Sequence, residues 1–415
     1  MLISQDKKMD YILQLINDLN QIQDLDLLLE KILEKARLFF NADAGSIYLR
    51  DGDRLKFSYT QNNTLQKRLG RGNKLIYRKF SIPINKESIS GYVAEIFMKS
   101  GRKVILNIPD VYQLDTALPY SFDSKFDEKA GYRTKSVLTV PMINQRNELV
   151  GVLQLINAKD EKGEIIPFDP TDEPYILHFS EAAALALEKA QMTRNLILRM
   201  IRMAELRDPK ETGAHVNRVG AYSVEIFEAW ARKHGYDEDE IDKQKNVLRM
   251  AAMVHDVGKV GISDAILKKP AKLSHQEFEI MKAHTYLGAR LFYDARSDFD
   301  TAAMEVALNH HEKWDGTGYP GYVHPFTGRP LPGFEQDGKA RPKKGEEIPI
   351  FGRVVALADV FDALSSKRSY KDAWPENRVL QEIEKNKGSH FDPAIVEAFF
   401  SCLDILKAIS KEYED

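Results

Sequence analysis

The hydrophobic period of this chain changes twice, and that alternation rules out any single repeating architecture. Residues 9–40 carry Ile12, Leu15, Ile16, Leu19 and Ile22, then Leu25, Leu28, Leu29, Ile32 and Leu33, at the spacing of a helix pair. Short β-branched runs follow at Ser46–Leu49, Leu55–Tyr59, Lys103–Leu106, Ser136–Val140 and Leu149–Ile156, separated by turn residues such as Asp51-Gly52 and Gln145-Arg146-Asn147. That pattern predicts an antiparallel sheet with hairpins. From Glu173 the helical spacing returns and persists. A chain of 415 residues is too long for one ordinary core. The expected fold class is therefore multidomain: an α+β domain over 9–172, with an antiparallel sheet flanked by helices, a connecting helix over 173–206, and an all-α domain over 207–415.

Within the connecting helix, Leu185, Met192, Leu196 and Met203 approach a heptad spacing. They predict either a homodimer seam or a side that packs on its own domain. Loops are expected near 265–275 and at 316–349, the second holding Pro325, Pro330, Pro332 and Pro342. A net charge of -3 supplies no overall basic field, so no nucleic acid polymer is expected as a partner. No run reaches the ~18 apolar residues of a membrane span, so no membrane insertion is expected. One cysteine, Cys402, excludes a disulfide framework and thiolate zinc sites and fits a cytoplasmic setting.

Candidate chemistry is concentrated after residue 207. His310-His311-Glu312-Lys313-Trp314-Asp315-Gly316-Thr317-Gly318-Tyr319-Pro320 is rich in metal-ligand types, as is His255-Asp256-Val257-Gly258-Lys259 upstream. His284 and Asp359 fall in other predicted helices, and Glu211 and His215 precede them all. Imidazole and carboxylate donors without thiolate suit iron, manganese or zinc. Ligands spread over at least four segments suit a bundle that projects them inward. His255 and Asp256 on a helix would point ~100° apart, allowing Asp256 to bridge two ions. Each residue also has a plainer reading. His215 alone is an ordinary surface or capping histidine, and Asp208-Pro209-Lys210-Glu211 reads equally as a capping box. Asp359 sits in the apolar run Val354–Phe361, where a buried carboxylate needs a charge partner or a metal. His178, His234, His275, His324 and His390 lie outside any such context.

These blocks, with Arg207-Asp208-Pro209, Thr212–His215, Arg218-Val219, Gly345–Pro349, Ala358–Leu364, Arg368–Lys371, Gly388 and Phe391-Asp392-Pro393, resemble the HD-GYP domain, a subset of the HD phosphohydrolases. The resemblance implies a phosphodiesterase that opens cyclic di-GMP to pGpG and onward to GMP, using two or three divalent ions, iron or manganese in preference to zinc. By position it implies that His215, His255, Asp256 and Asp359 hold one ion, with Asp256 bridging to a second held by His284, His310 and His311. Glu211 stands where trinuclear members place a glutamate. Asp256 and Lys259 are the implied catalytic residues. Lys259, Arg368 and Lys371 are implied phosphate contacts, with Tyr319 and Asp362 close to the substrate. Ions at such a site would activate water and neutralise phosphoryl oxygens during in-line displacement. Cyclic GMP-AMP as substrate, a non-catalytic cyclic-dinucleotide receptor and an oxygen-activating di-iron enzyme are the alternatives. Trp314 reads equally as a base-stacking or a loop-packing residue.

This chain departs from the family at Gly321–Lys344, an insertion bearing Arg329, Lys339, Arg341, Lys343 and Lys344. It is expected to be either a lid that adds phosphate contacts or a solvated loop. The N-terminal half resembles a GAF domain through Ala44–Leu49, Gly91–Ala94, Leu106–Tyr112, Gly131–Ser136 and Val140-Pro141-Met142. Asn157-Ala158-Lys159, Phe168 and Asp172-Glu173 resemble the pattern of its cyclic-nucleotide-binding subgroup, with one residue inserted. A cyclic nucleotide is thus the implied regulator, with plain dimerisation as the other role.

Overall fold

The computed structural model describes residues 5–69, 80–206, 213–366 and 373–413, which divide into two compact units, Met1–Thr193 and Arg194–Asp415. The expected ligand Glu211 with its rival capping box, and the expected phosphate contacts Arg368 and Lys371, lie outside the described residues.

The first unit begins with the expected helix pair, α1 (Gln5–Asn20) and α2 (Leu25–Phe39). Asp24 caps α2 by accepting from the Leu27 amide at 2.9 Å. Next come β1 (Ala42–Asp51), β2 (Arg54–Asn62), α3 (Asn63–Leu69), β3 (Ser81–Pro83), α4 (Ile89–Ser100), β4 (Leu106–Ile108), α5 (Lys125–Ala130), β5 (Val137–Ile143), β6 (Leu149–Lys159) and β7 (Ile165–Ile166). The unit continues into α6 (Glu173–Glu205). The strands form an antiparallel sheet in the order β3-β2-β1-β6-β5-β4, with β7 on β6. The period of two separates its faces. Ile47, Leu153, Leu155, Leu138 and Val140 pack with Leu28, Ile32, Leu33, Ile176, Phe179 and Leu187 of α2 and α6, while Tyr48, Val152 and Ile143 turn to Ala94 and Phe97 of α4. Gly45 permits the close approach of α2, since a Cβ there would lie 2.8 Å from Leu33 Cδ1. The strand expected at 103–106 pairs only from Leu106 onward, because its partner β5 meets residues 106–108 alone.

The residues that resemble the pattern of the cyclic-nucleotide-binding subgroup make contacts within this unit. Lys159 reaches the buried Asp43 at 2.6 Å, where Thr64 and Tyr132 also donate. Burial works against ionisation of Asp43, but these hydrogen bonds hold its carboxyl below the usual range. Asn157 donates to Tyr132 Oη and the Arg133 carbonyl and accepts from the Lys135 amide. Phe168 lies in the core, and Asp172 and Glu173 accept from Lys8 and Asn107.

The second unit is helical: α7 (Gly213–Lys233), α8 (Glu238–Met253), α9 (Asp264–Leu267), α10 (His275–Lys282), α11 (His284–Arg290), α12 (Asp298–Asn309), then the small hairpin β8 (Glu335–Gln336) and β9 (Lys339–Ala340), then α13 (Ile350–Ser365), α14 (Glu376–Lys385), α15 (Pro393–Ser401) and α16 (Leu403–Glu412). Val219, Tyr222 and Ile226 of α7 meet Leu248 and Ala252 of α8, Val306 of α12, Val354 and Leu357 of α13 and Phe399 of α15 in one core. That core fixes the helix ends from which the candidate ligands project. The hairpin inside the long loop is a feature the proline-rich sequence does not announce.

Candidate metal centre

His255 and Asp256 do not lie on the α-helix expected for them. The backbone leaves helical geometry at the α8 cap, Val254 (φ -107°, ψ 15°), and Asp256 (φ -102°, ψ 7°) leads into a 3-10 turn at Val257–Gly261. In this bridge-region conformation the two side chains converge instead of diverging: His255 Nε2 is 3.2 Å from Asp256 Oδ2. The turn is wedged against α11, where a Cβ on Gly258 would stand 2.0 Å from the His284 carbonyl oxygen.

Two groups of donor side chains result. Asp256, His284, His310 and His311 each offer a ligand atom within 4.8 Å of the others, and His215, His255 and Asp359 do the same. They come from α7, the turn after α8, α11, the end of α12 and α13. Asp256 joins the groups: its Oδ1 lies 3.3 Å from His284 Nε2 and 3.5 Å from His310 Nε2, and its Oδ2 faces His255 and receives Lys259 Nζ at 2.7 Å. Burial alone would raise the Asp256 pKa, yet Lys259 and the imidazoles hold its carboxyl well below the usual range. Burial pushes His284 down to about 4 and His311 well below the ordinary histidine range, so both rings are neutral donors at pH 7.

The far sides of these rings are anchored. His255 Nδ1 meets the Ala252 carbonyl at 2.8 Å, His284 Nδ1 that of Met281 at 2.7 Å, and His310 Nδ1 those of Val306 and Ala307 at 3.1 Å. A proton held at Nδ1 leaves Nε2 as the lone-pair donor, the arrangement that orients metal-binding histidines. Asp256 Oδ1, His284 Nε2 and His310 Nε2 are buried with no hydrogen-bond partner. Three inward-facing acceptors without donors are costly unless a cation satisfies them, so the donor set fits divalent metal.

Asp362 is 1% exposed and accepts from His215 Nδ1 at 2.8 Å and from Arg218 Nε at 2.6 Å. It therefore orients His215. The ring of Tyr319 lies 4.8 Å from that of His311. Burial, reinforced by the charge of Asp256, raises its hydroxyl pKa. Gly318 fits the tight turn because a Cβ there would lie 2.2 Å from the Lys313 amide. Trp314 packs its loop: its amide donates to the His390 carbonyl, and Arg353 covers its ring at 5.8 Å.

Sequence reasoning passed over Glu312. It is 2% exposed, accepts from the Gly321 amide at 2.5 Å and is pushed up to about 7 by burial, so it closes the 312–321 loop from inside. Two of the five cations of the insertion are engaged locally, while Arg329, Lys339 and Lys344 are exposed. Arg341 pairs with Glu347 at 3.0 Å and stacks on Tyr322, while Lys343 donates to Asn309 Oδ1 at 2.6 Å, next to His310. Gly328 abuts the Tyr286 ring, and Arg290 covers Phe326 at 4.2 Å. These contacts seat residues 326–328 on α11, while most of residues 332–339 are exposed.

Residues 212–364 match the family described as HD domain, and residues 24–187 match the GAF domain. A 3'3'-cGAMP-specific phosphodiesterase 2 of Vibrio cholerae is 38% identical over 231 residues, covering 56% of this chain and 39% of the relative. A cyclic di-GMP phosphodiesterase of the same organism is 39% identical over 233 residues, covering 55% and 43%. A cyclic di-GMP phosphodiesterase of Thermotoga maritima is 35% identical over 268 residues, covering 65% and 61%. The chain thus spans between 39% and 61% of the length of these relatives.

Proposed function

We propose that this chain, in which residues 24–187 match the GAF domain and 212–364 the HD domain, is a metal-dependent phosphodiesterase that opens cyclic di-GMP to pGpG and onward to GMP, under control of the GAF domain. The observation that carries the reading is the convergence of two donor groups through Asp256, with Lys259 beside them. His215, His255 and Asp359 would hold one ion and His284, His310 and His311 another, with Asp256 shared. Iron or manganese suits this set, and Glu211 would add a third ion. Bound ions would supply Lewis acidity at the phosphoryl group and lower the pKa of water.

The protein's own part is placement. Lys259 Nζ, on a side chain 20% exposed, would turn from Asp256 to a phosphoryl oxygen and offset the charge that grows there in displacement. The Nδ1 anchors hold the rings still while charge redistributes. Tyr319 closes the wall beside His311. Arg368 and Lys371 would meet the second phosphate.

Cyclic GMP-AMP is the alternative substrate, favoured by a relative of that name at nearly the same identity. A receptor without catalysis has no need of both donor groups. Leu185, Met192, Leu196 and Met203 of α6 are all at least 38% exposed, which supports a homodimer seam, and no helix among the described residues is long and apolar enough to cross a membrane. A cytoplasmic dimer with a small ligand in the GAF domain is the working picture. Anaerobic purification, metal counting and product chromatography test it. Formation of pGpG and GMP is expected; an intact metal centre that yields neither product overturns the proposal.

A further inference from the structure

Helix α10 lies beside Tyr319 and directly precedes the ligand His284, and it presents a set of side chains that neither the ligand groups nor the phosphate contacts use. Phe278 is 43% exposed, with its ring edge-on to Tyr319 at 6.0 Å. One turn later Lys282 stands over both rings, 5.2 Å from the centroid of Phe278 and 5.4 Å from that of Tyr319. Its ammonium is 2.8 Å from Glu279 Oε1. The bonded Lys282, with the charge of Lys339 on β9 adding to it, holds the Glu279 carboxyl below the usual range, so a carboxylate acceptor stands beside the ammonium.

Resting on the reading of this unit as a cyclic-dinucleotide phosphodiesterase, we infer that Phe278, Glu279 and Lys282 form a guanine-reading wall at the mouth of the metal centre. The chemistry of the base makes the match. The Watson–Crick edge of guanine presents the O6 acceptor next to the N1–H and N2–H donors, which an ammonium and a carboxylate side by side complement. Adenine presents a donor where guanine has O6, and Lys282 would face it donor to donor. Phe278 supplies the stacking surface that holds a base drawn out of solution, with no preference between purines. Unlike an ordinary helix-surface cation, Lys282 lies over two aromatic rings, one of which also stands beside the ligand His311.

The division of labour gives the test. Turnover of cyclic di-GMP, cyclic GMP-AMP and cyclic di-AMP is measured with the metal-loaded full chain, together with equilibrium binding of each. In wild type the guanine substrates are preferred. The double variant Glu279→Ala/Lys282→Met lowers kcat/KM for cyclic di-GMP by about 10- to 100-fold, through KM, and leaves cyclic di-AMP within about twofold. Phe278→Ala raises KM for all three, and Lys282→Arg retains the guanine preference. Equal losses on every substrate, or an unchanged guanine-to-adenine ratio, overturn the wall while leaving the phosphodiesterase reading standing. Absence of turnover in wild type overturns the enzymatic reading. In that event guanine-selective binding that the double variant abolishes still supports the wall, and unselective binding overturns it.

Discussion

Replacing Asp362 with Asn separates a positioning role from substrate contact, because it removes one charge and almost no volume. The carboxylate is buried and accepts from His215 Nδ1 at 2.8 Å and from the Arg218 guanidinium at 2.6 and 3.1 Å, with Ser366 Oγ a third donor at 3.2 Å. An amide cannot accept from both, since its oxygen can face one and its NH2 must then face the other. The Arg218 guanidinium, 4% exposed, loses the Asp362 carboxylate in either orientation. Breaking a buried pair in this way costs about 3–5 kcal/mol. His215 loses the partner that fixes its ring, and loss of such a partner typically weakens metal binding by about 10- to 100-fold. Tryptophan fluorescence reads the stability term for one unit alone, because Trp230, Trp314 and Trp374 all follow residue 194. In denaturant the fluorescence transition of Asp362→Asn should move down by that amount, and metal counting after dialysis should show depletion of the ion assigned to His215, His255 and Asp359. An unchanged transition and full metal content, combined with a raised KM, would refute this reasoning and return Asp362 to the substrate surface.

Gly258→Ala should force the 257–261 turn off α11, because its Cβ would meet backbone atoms at 2.0 and 2.3 Å; a loss of at least about 1–3 kcal/mol with a metal deficit is expected, and near-native metal content would contradict it. In the metal-free protein, burial keeps His284 at about 4 against 6.5 when unfolded, so the unfolded chain takes the proton first. Stability of this unit should therefore fall as pH drops from about 6.5 toward 4, and denaturant transitions that stay level over that window would refute it. Lys159→Met should destabilise the first unit by about 1–3 kcal/mol by taking the ammonium from Asp43, which keeps only the Thr64 and Tyr132 donors, while the tryptophan transition stays in place; circular dichroism and fluorescence unfolding curves compare the two.

Much of the candidate centre was legible because ligand chemistry leaves a compositional trace. His255, His284, His310 and Asp359 lie in apolar surroundings where an imidazole or carboxylate without purpose is costly. Arg218 and Asp362 carry no such trace, since a buried ion pair looks in sequence like two ordinary polar residues 144 positions apart. Trp314 and Glu312 were opaque for a related reason: whether a loop residue faces substrate or backbone depends on how the loop closes, and Gly321 closes it from nine residues away. Local periodicity found the helix pair, the sheet and α6, but it placed His255 and Asp256 on a helix because it cannot see the α11 backbone against which α8 must end.

The amino-acid sequence by itself determined the division into an α+β and an all-α part and the identity of the donor atoms, because period and side-chain chemistry are local properties. Only the tertiary structure decided the backbone geometry by which Asp256 meets both groups, the 3-10 turn after α8, and the burial of Asp362 behind His215. It also seated residues 326–328 of the insertion on α11 and set the charged pair of α10 beside Tyr319. Those outcomes depend on which backbones approach within a few ångströms, and the packing of distant segments sets that distance.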